Sequence, residues 1–181
     1  MKSISRLELV GDIGAMLGAL LLVPGASANH RPDHPYRYSV VDIPVSLAIG
    51  TVQTPEFYVA SHGYWIMVQV EVRLPIQQTQ FRQMQCRMGI TSGGLDTKDC
   101  TSDDPLLRAD WSVWDGKHIA DQGSSTTVGD GKMGGHHIFK FLGKFIGESG
   151  RKYILKVKFT KDGTPLNVAN PHLIVTKIGD E

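Results

Sequence analysis

Residues 64–74 read YWIMVQVEVRL and form the clearest strand pattern in the chain. Tyr, Ile, Val, Val, Val and Leu occupy the even positions, whereas the odd positions end in Gln69, Glu71 and Arg73. Alternation with a period of two predicts a β-strand that has one buried face and one wet face. Residues 152–160 repeat the pattern, with three lysines on the polar face.

Other segments show the same period more weakly, and a turn signal separates two of them. Asp115-Gly116 predicts a tight hairpin turn, because Asp-Gly accepts positive φ. Pro44 places the first segment at a sheet edge or a bulge. Short strands separated by turns predict an all-β antiparallel sandwich rather than βαβ units. The predicted strands are 38–47, 64–74, 107–114, 117–122, 137–145, 152–160 and 172–178.

Two aromatic residues narrow the architecture. Tyr153 opens the sixth predicted strand as the tyrosine of a tyrosine corner does, so we expect its hydroxyl to bond to backbone within residues 145–151. Trp111 lies on the apolar face of the third predicted strand, where immunoglobulin-like domains place their core tryptophan. Each could be an ordinary core aromatic residue. Together with about seven strands, they predict an immunoglobulin-like antiparallel β-sandwich.

The connection at residues 75–106, between the second and third predicted strands, is long for a compact domain. Phe81, Met84 and Met88 fall at i, i+3 and i+7, which predicts a short helix after Pro75. The chain has two cysteines, Cys86 and Cys100, and both lie in this connection. A redox pair or zinc ligands are the alternatives, but the spacing fits neither well, and an exported protein most often pairs such cysteines. We therefore predict a structural disulfide.

The first 28 residues predict a secretory signal peptide. A short basic start precedes the apolar run IGAMLGALLLV at 13–23, and Ala26-Ser27-Ala28 fits the small-x-small cleavage rule. The apolar run is shorter than the about 20 residues that span a bilayer. An uncleaved anchor or a mis-assigned start are the alternatives to cleavage.

Cleavage predicts a mature chain in two parts. Residues 29–37 would form a flexible N-terminal segment, and residues 38–181 the β-sandwich domain. The predicted location is the periplasm or the medium outside the cell. After cleavage we expect no stable membrane anchor.

Charge and motifs exclude several classes of function. Nineteen basic and 18 acidic side chains give a formal charge of +1, without the basic excess of a nucleic-acid binder. Hydrolase and nucleotide-binding motifs are absent. A triad drawn from Asp121, Ser124, Ser125, His136 and His137 is conceivable, but nothing selects these residues. We expect no catalytic residue, no metal and no cofactor.

Two groups of residues are candidates for a binding surface. Asp96, Asp99, Asp103 and Asp104 surround Cys100, and they predict a solvated loop more readily than a calcium loop because no EF-hand spacing is present. Trp65 and Trp114 point away from the predicted core by strand parity. Such indoles stack on sugars or anchor protein partners, unless the N-terminal segment or the 75–106 connection covers them.

Motifs in the C-terminal half resemble those of an uncharacterised family of exported proteobacterial proteins with an immunoglobulin-like sandwich. The resemblance covers about residues 36–178. The motifs that carry the resemblance are structural: WSVWDG at 111–116, Gly150-x-x-Tyr153, Asp162-Gly163 and NPHLIV at 170–175. The resemblance implies this fold and a Gram-negative periplasmic or secreted setting. It implies no catalytic residues.

The sequence thus favours an exported, non-enzymatic binding module, whose contacts come from the 75–106 connection and from the loops at the same end of the sandwich. Its partner would be a protein or a glycan of the cell envelope, and not a nucleic acid. An alternative is a carbohydrate-binding module that uses Trp65 and Trp114. A small periplasmic hydrolase is the weakest of the three hypotheses.

Overall fold

The computed structural model describes residues 39–72, 77–90, 100–101, 105–126, 128–134 and 136–178. The predicted signal peptide, the segment 29–37 and the four aspartates around Cys100 lie outside these residues. The described part contains one α-helix, a 3-10 helix at Thr164–Ala169, and ten strands. The strands are β1 (Ser39–Pro44), β2 (Gly50–Gln53), β3 (Phe57–Tyr58), β4 (Gly63–Glu71), β5 (Ala109–Asp115), β6 (His118–Ser125), β7 (Gly131–Gly134), β8 (His137–Ile146), β9 (Lys152–Phe159) and β10 (His172–Lys177).

The strands form two antiparallel sheets, which confirms the all-β sandwich. Sheet one has the order β1-β10-β4-β8-β7, and sheet two has the order β2-β9-β5-β6, with β3 also paired to β9. All seven predicted strands are present, but a count of seven is too low. The three additional strands, β2, β3 and β7, have only two to four residues, too few to show an alternating pattern. The immunoglobulin-like type stays a prediction.

Local details of the predicted strands are confirmed, with one shift. Pro44 lies in β1, an edge strand with a register shift between Ser39 and Val41. The hairpin between β5 and β6 is present, but Asp115 pairs with His118. Its two turn residues are therefore Gly116 and Lys117, one position later than predicted, and Gly116 supplies the positive φ of 60°.

Trp111 spans the space between the two sheets. Its side chain is 7% exposed, and its indole Nε1 donates a hydrogen bond to the Leu142 carbonyl of the opposite sheet at 3.0 Å. Gly123 on β6 and Gly143 on β8 lie against the indole, and a Cβ at either position would overlap it. The predicted core position of Trp111 is confirmed, and the two glycines make room for it.

Two tyrosines fix turns at one end of the sandwich. The Glu148 N–H donates to the Tyr153 hydroxyl at 3.1 Å, inside the predicted range, and Tyr153 is 3% exposed. The hydroxyl is the acceptor here. Tyr64 acts in the same way, because it accepts from the Ala60 N–H at 2.9 Å. Both rings pack on Phe145, at centroid distances of 5.8 and 5.5 Å, so each turn is joined to the core.

The predicted helix in the 75–106 connection is confirmed as α1 (Gln78–Met88). Met88 is fully buried, whereas Phe81 and Met84 are partly buried and pack against the core. Gly89 ends the helix in a left-handed conformation, with φ of 68°, as glycine commonly does. No helix in the described part of the chain is long and apolar enough to cross a membrane.

Candidate functional site

The disulfide and three backbone contacts attach α1 to the rest of the fold. Cys86 bonds to Cys100, with 5.4 Å between the two Cα atoms, as predicted. The Leu106 N–H donates to the Arg87 carbonyl at 2.8 Å, so the end of the connection lies against the last turn of the helix. The Gly129 N–H donates to the Gly89 carbonyl at 2.8 Å, and Ile90 forms a parallel bridge with Gly129. Helix α1 is therefore held on the sandwich by contacts with two separate parts of the chain.

Lys140 adds a side-chain contact beneath the helix terminus. It lies on β8 between Ile138 and Leu142 and is fully buried. Its Nζ donates to the Gly89 carbonyl at 3.2 Å. A cation at a helix C-terminus is favourable, because the last carbonyls carry partial negative charge. Removal from water outweighs this effect and lowers the pKa of Lys140 from 10.5 to about 8.

The outward side of α1 is polar and contains no acidic residue. We define the helical platform as this side of α1 together with two partly exposed neighbours, Val128 and Met133. Val128 is 45% exposed and Met133 is 39% exposed. The Gln85 side-chain amide contacts the Met133 sulfur, which joins β7 to the helix. The exposed residues of α1 are Gln78, Thr79, Gln80, Arg82, Gln83 and Arg87.

The two tryptophans do not form one surface. Trp65 is on β4 of sheet one and packs on Phe141, with ring centroids 4.7 Å apart. Trp114 is on β5 of sheet two, where its Nε1 donates to the Ser112 hydroxyl at 2.8 Å and the Lys156 ammonium lies 4.3 Å from its ring centroid. Both indoles are half-buried. A carbohydrate site that uses both at once is excluded, because they lie outside the core on different sheets.

Three of the residues considered for a hydrolase, Asp121, Ser124 and Ser125, have structural contacts. The Ser124 hydroxyl donates to Asp110 at 2.8 Å, and the Ser125 hydroxyl accepts from the Ala109 N–H at 3.0 Å. Asp121 accepts from the Gln122 N–H at 2.8 Å. Each of these contacts joins neighbouring residues or neighbouring strands of sheet two. In the described ranges, no group of three or more His, Cys, Asp or Glu side chains is arranged to hold a metal ion.

The structure brings together a histidine and an aspartate, His172 and Asp42, that the sequence did not single out. His172 Nδ1 lies 2.6 Å from Asp42 Oδ1, and His172 is 7% exposed. The two residues are far apart in the chain and meet because β1 pairs with β10. No local pattern signals this pairing. The pair joins an edge strand to the sheet, at the end where the Asn170 amide also donates to Glu71.

Comparisons with known proteins bear on the fold alone. No protein-family model and no curated protein matches the chain. Among solved structures, the chain is similar to the crystal structure of GEBA250068378 from Sulfurospirillum deleyianum, with a TM-score of 0.54 and 11% sequence identity. The match covers 77% of this chain and 97% of that chain. A domain of nearly the same extent therefore has a similar fold with a very different sequence.

Proposed function

We propose that the chain is an exported, non-enzymatic binding module that presents the helical platform to a protein of the cell envelope. The observation that carries the proposal is the attachment of α1. A surface connection is held by a disulfide, by backbone hydrogen bonds from Leu106 and Gly129, and by the buried Lys140. Loops on a rigid scaffold are common sites of recognition.

The rigidity of the platform favours binding for an entropic reason. Ordering of loops and side chains at an interface opposes association, so a surface that is already ordered loses less entropy when a partner docks. Protection of the connection from proteases is the competing explanation for the disulfide. Protease protection alone gives no reason for a buried ammonium group beneath the helix terminus, which is costly to desolvate.

The composition of the platform supports a protein partner. The platform combines the exposed amide and guanidinium side chains of α1 with two partly exposed apolar side chains, Val128 and Met133. Methionine and arginine are enriched in protein–protein interfaces, where polar groups surround apolar contacts. Methionine also adapts its shape to a partner. Among the described residues of α1 no carboxylate repels an acidic partner surface.

Photo-cross-linking in the native organism tests the proposal. A benzophenone amino acid replaces Gln83 on the platform, and the matched control carries it at Lys158, an exposed residue of β9. We expect one defined protein adduct from position 83 that is absent from position 158. Identical adducts at both positions, or none at position 83, would contradict the proposal.

The intact mass of the exported protein should correspond to a chain that begins at Asn29.

A further inference from the structure

Two segments at one end of the sandwich expose aliphatic side chains. Val168 in the 3-10 helix is 82% exposed, and Ile49, just before β2, is 66% exposed. Together with Ile146, they are the three most exposed large hydrophobic residues in the described part of the chain. Neither segment, VSLAIGTV at 45–52 or GTPLNVA at 163–169, contains a charged residue. We call these two segments the apolar tip. Contiguous exposed apolar surface, unlike a single exposed aliphatic residue, marks interaction sites.

Hydrogen bonds hold the two segments of the apolar tip together. The Asn167 side-chain Oδ1 accepts from the Leu47 N–H at 3.0 Å, and its Nδ2 donates to the Ser46 hydroxyl at 3.1 Å. The Gly163 N–H donates to the Leu47 carbonyl at 2.9 Å. Leu47 and Leu166 are fully buried, so one leucine anchors each segment in the core. The exposed side chains of both segments therefore belong to one ordered surface.

The composition of the apolar tip favours a lipid surface over a protein as its occupant. The tip contains no aromatic residue, methionine or arginine, which are the residues enriched in protein interfaces. Valine and leucine are under-represented among the residues that dominate protein binding energy. Burial of aliphatic side chains among acyl chains needs no matching hydrogen-bond pattern, because the hydrophobic effect is non-directional.

An exposed arginine lies beside the apolar tip. Gly50, Phe159 and Ala109 pair in one row across β2, β9 and β5. Gly50 and Ala109 are therefore two strand spacings, or about 10 Å, apart. Ile49 and Arg108 are the next residues at the same end of these two strands, and Arg108 is exposed. The Arg108 guanidinium is thus available to an anionic group that meets the tip.

A second cation lies next to the 3-10 helix. Lys161 is partly buried, and its Nζ donates to the Pro105 carbonyl at 2.6 Å. One carboxylate, Asp162, follows it and accepts from the Thr164 N–H at 3.0 Å. With Arg108, the residues that flank the tip carry two cations and one carboxylate. This balance complements the negative headgroups of anionic phospholipids.

We propose that the apolar tip binds reversibly to an anionic phospholipid membrane. Ile49 and Val168 enter the acyl region, and Arg108 meets the headgroups. A single acyl chain gives only reversible membrane binding, and two aliphatic side chains are smaller still, so the contact is not a stable anchor. The contact is separate from the helical platform and does not depend on the partner of the platform. A protein or a second copy of the chain on the tip would be the rival occupant.

Vesicle flotation with the exported protein tests the apolar part of the contact. The vesicles consist of phosphatidylethanolamine and phosphatidylglycerol. We expect wild type to float with them, and Ile49→Ser/Val168→Ser to lose about tenfold in partition coefficient. Ile146→Ser is the matched control and should bind as wild type does, because Ile146 is 81% exposed but pairs with Gly63 at the opposite end of the sandwich.

Three results of the flotation experiment would overturn the proposal. These are wild type that stays apart from the vesicles, equal partition of wild type and Ile49→Ser/Val168→Ser, and an equal loss for Ile146→Ser. Because all three side chains are exposed, the substitutions leave the core intact, and a loss of binding does not reflect unfolding.

The charge of the lipid supplies a second test. Arg108→Gln should weaken partition into the anionic vesicles by about fivefold. Lys144→Gln, which removes an exposed charge from β8, should have no such effect. On vesicles of phosphatidylcholine alone, wild type and Arg108→Gln should bind equally and more weakly than wild type binds the anionic vesicles. Equal partition of wild type and Arg108→Gln on the anionic vesicles would contradict the role of the headgroups.

Photo-cross-linking in the native organism identifies the occupant of the tip. A benzophenone amino acid replaces Val168, and the matched control carries it at Ile146. We expect adducts with phospholipid from position 168 that are absent from position 146. A defined adduct from position 168 with a protein, or with a second copy of the chain, would overturn the proposal.

Discussion

Replacement of Lys140 by methionine should change how stability depends on pH. Burial lowers the pKa of Lys140 from 10.5 to about 8 in the folded protein. Between these two pH values the unfolded chain holds more protons than the folded chain, so the free energy of unfolding rises with pH. The cost of the charged, buried ammonium is fully present below pH 8 and is lost as the pH approaches 10.5. The pKa difference corresponds to about 3 kcal/mol.

The variant removes this cost and leaves the helix terminus with a hydrogen bond. The Gly89 carbonyl also accepts from the Gly129 N–H at 2.8 Å, so Lys140→Met does not leave it unpaired. Methionine fills a similar volume with apolar atoms. We expect Lys140→Met to have a higher free energy of unfolding than wild type at pH 7. Between pH 7 and pH 10, the free energy of unfolding of wild type should rise relative to that of Lys140→Met by about 2 to 3 kcal/mol.

Urea unfolding at pH 7, 8.5 and 10 measures this shift. Lys144→Met is the matched control, because Lys144 is an exposed lysine on the same strand, and its stability should run parallel to that of wild type. Parallel curves for wild type and Lys140→Met would refute the reasoning, since they would show that Lys140 titrates equally in the folded and unfolded states.

Three further predictions concern the fold. Tyr153→Phe leaves the Glu148 N–H without its partner and should lower the free energy of unfolding by about 1–3 kcal/mol, measured by urea unfolding; a loss within about 0.5 kcal/mol, as at an exposed position, would argue against this contact. Gly143→Ala places a Cβ that overlaps the Trp111 indole and should lower the free energy of unfolding by about 1–3 kcal/mol. In the control Gly134→Ala the Cβ would lie 4.0 Å from the Phe139 ring, so stability should hardly change. Equal melting temperatures of these two variants would contradict the role of Trp111. Cys86 and Cys100 should resist alkylation until reductant is added, and labelling of either thiol without reductant would show an open pair.

Local patterns were sufficient to predict most of the fold. Alternation with a period of two located the clearest of the seven longer strands, such as β4 and β9, because one buried face imposes that period on the sequence. Apolar residues at Phe81, Met84 and Met88 located α1 for the same reason, with a helical period. The Asp115-Gly116 turn signal located β6, which has no continuous buried face. Strands β2, β3 and β7 could not be found in this way, because two to four residues do not define a period. Pairing with longer neighbours holds these strands in place.

Other features depended on the order of the strands, which the sequence does not show. Strand parity correctly placed Trp65 and Trp114 outside the main core, but only the sheet order shows that they lie on different sheets. The pair of His172 and Asp42 requires the pairing of β1 with β10 for the same reason. Strand parity could also have predicted the burial of Lys140. This residue lies between Ile138 and Leu142 on the inward face of β8, so the alternation of the strand alone places its side chain in the core.

The affinity of the platform for the envelope protein cross-linked at position 83 tests the central claim most directly. The dissociation constant is measured for wild type, for Cys86→Ser/Cys100→Ser, and for Lys158→Gln as a control at an exposed site away from α1. If the disulfide orders the surface before binding, its removal should weaken binding by about tenfold. This factor corresponds to about 1.4 kcal/mol of added ordering cost. Circular dichroism should show that the double serine variant keeps its fold. Unchanged affinity of the double serine variant would contradict the account.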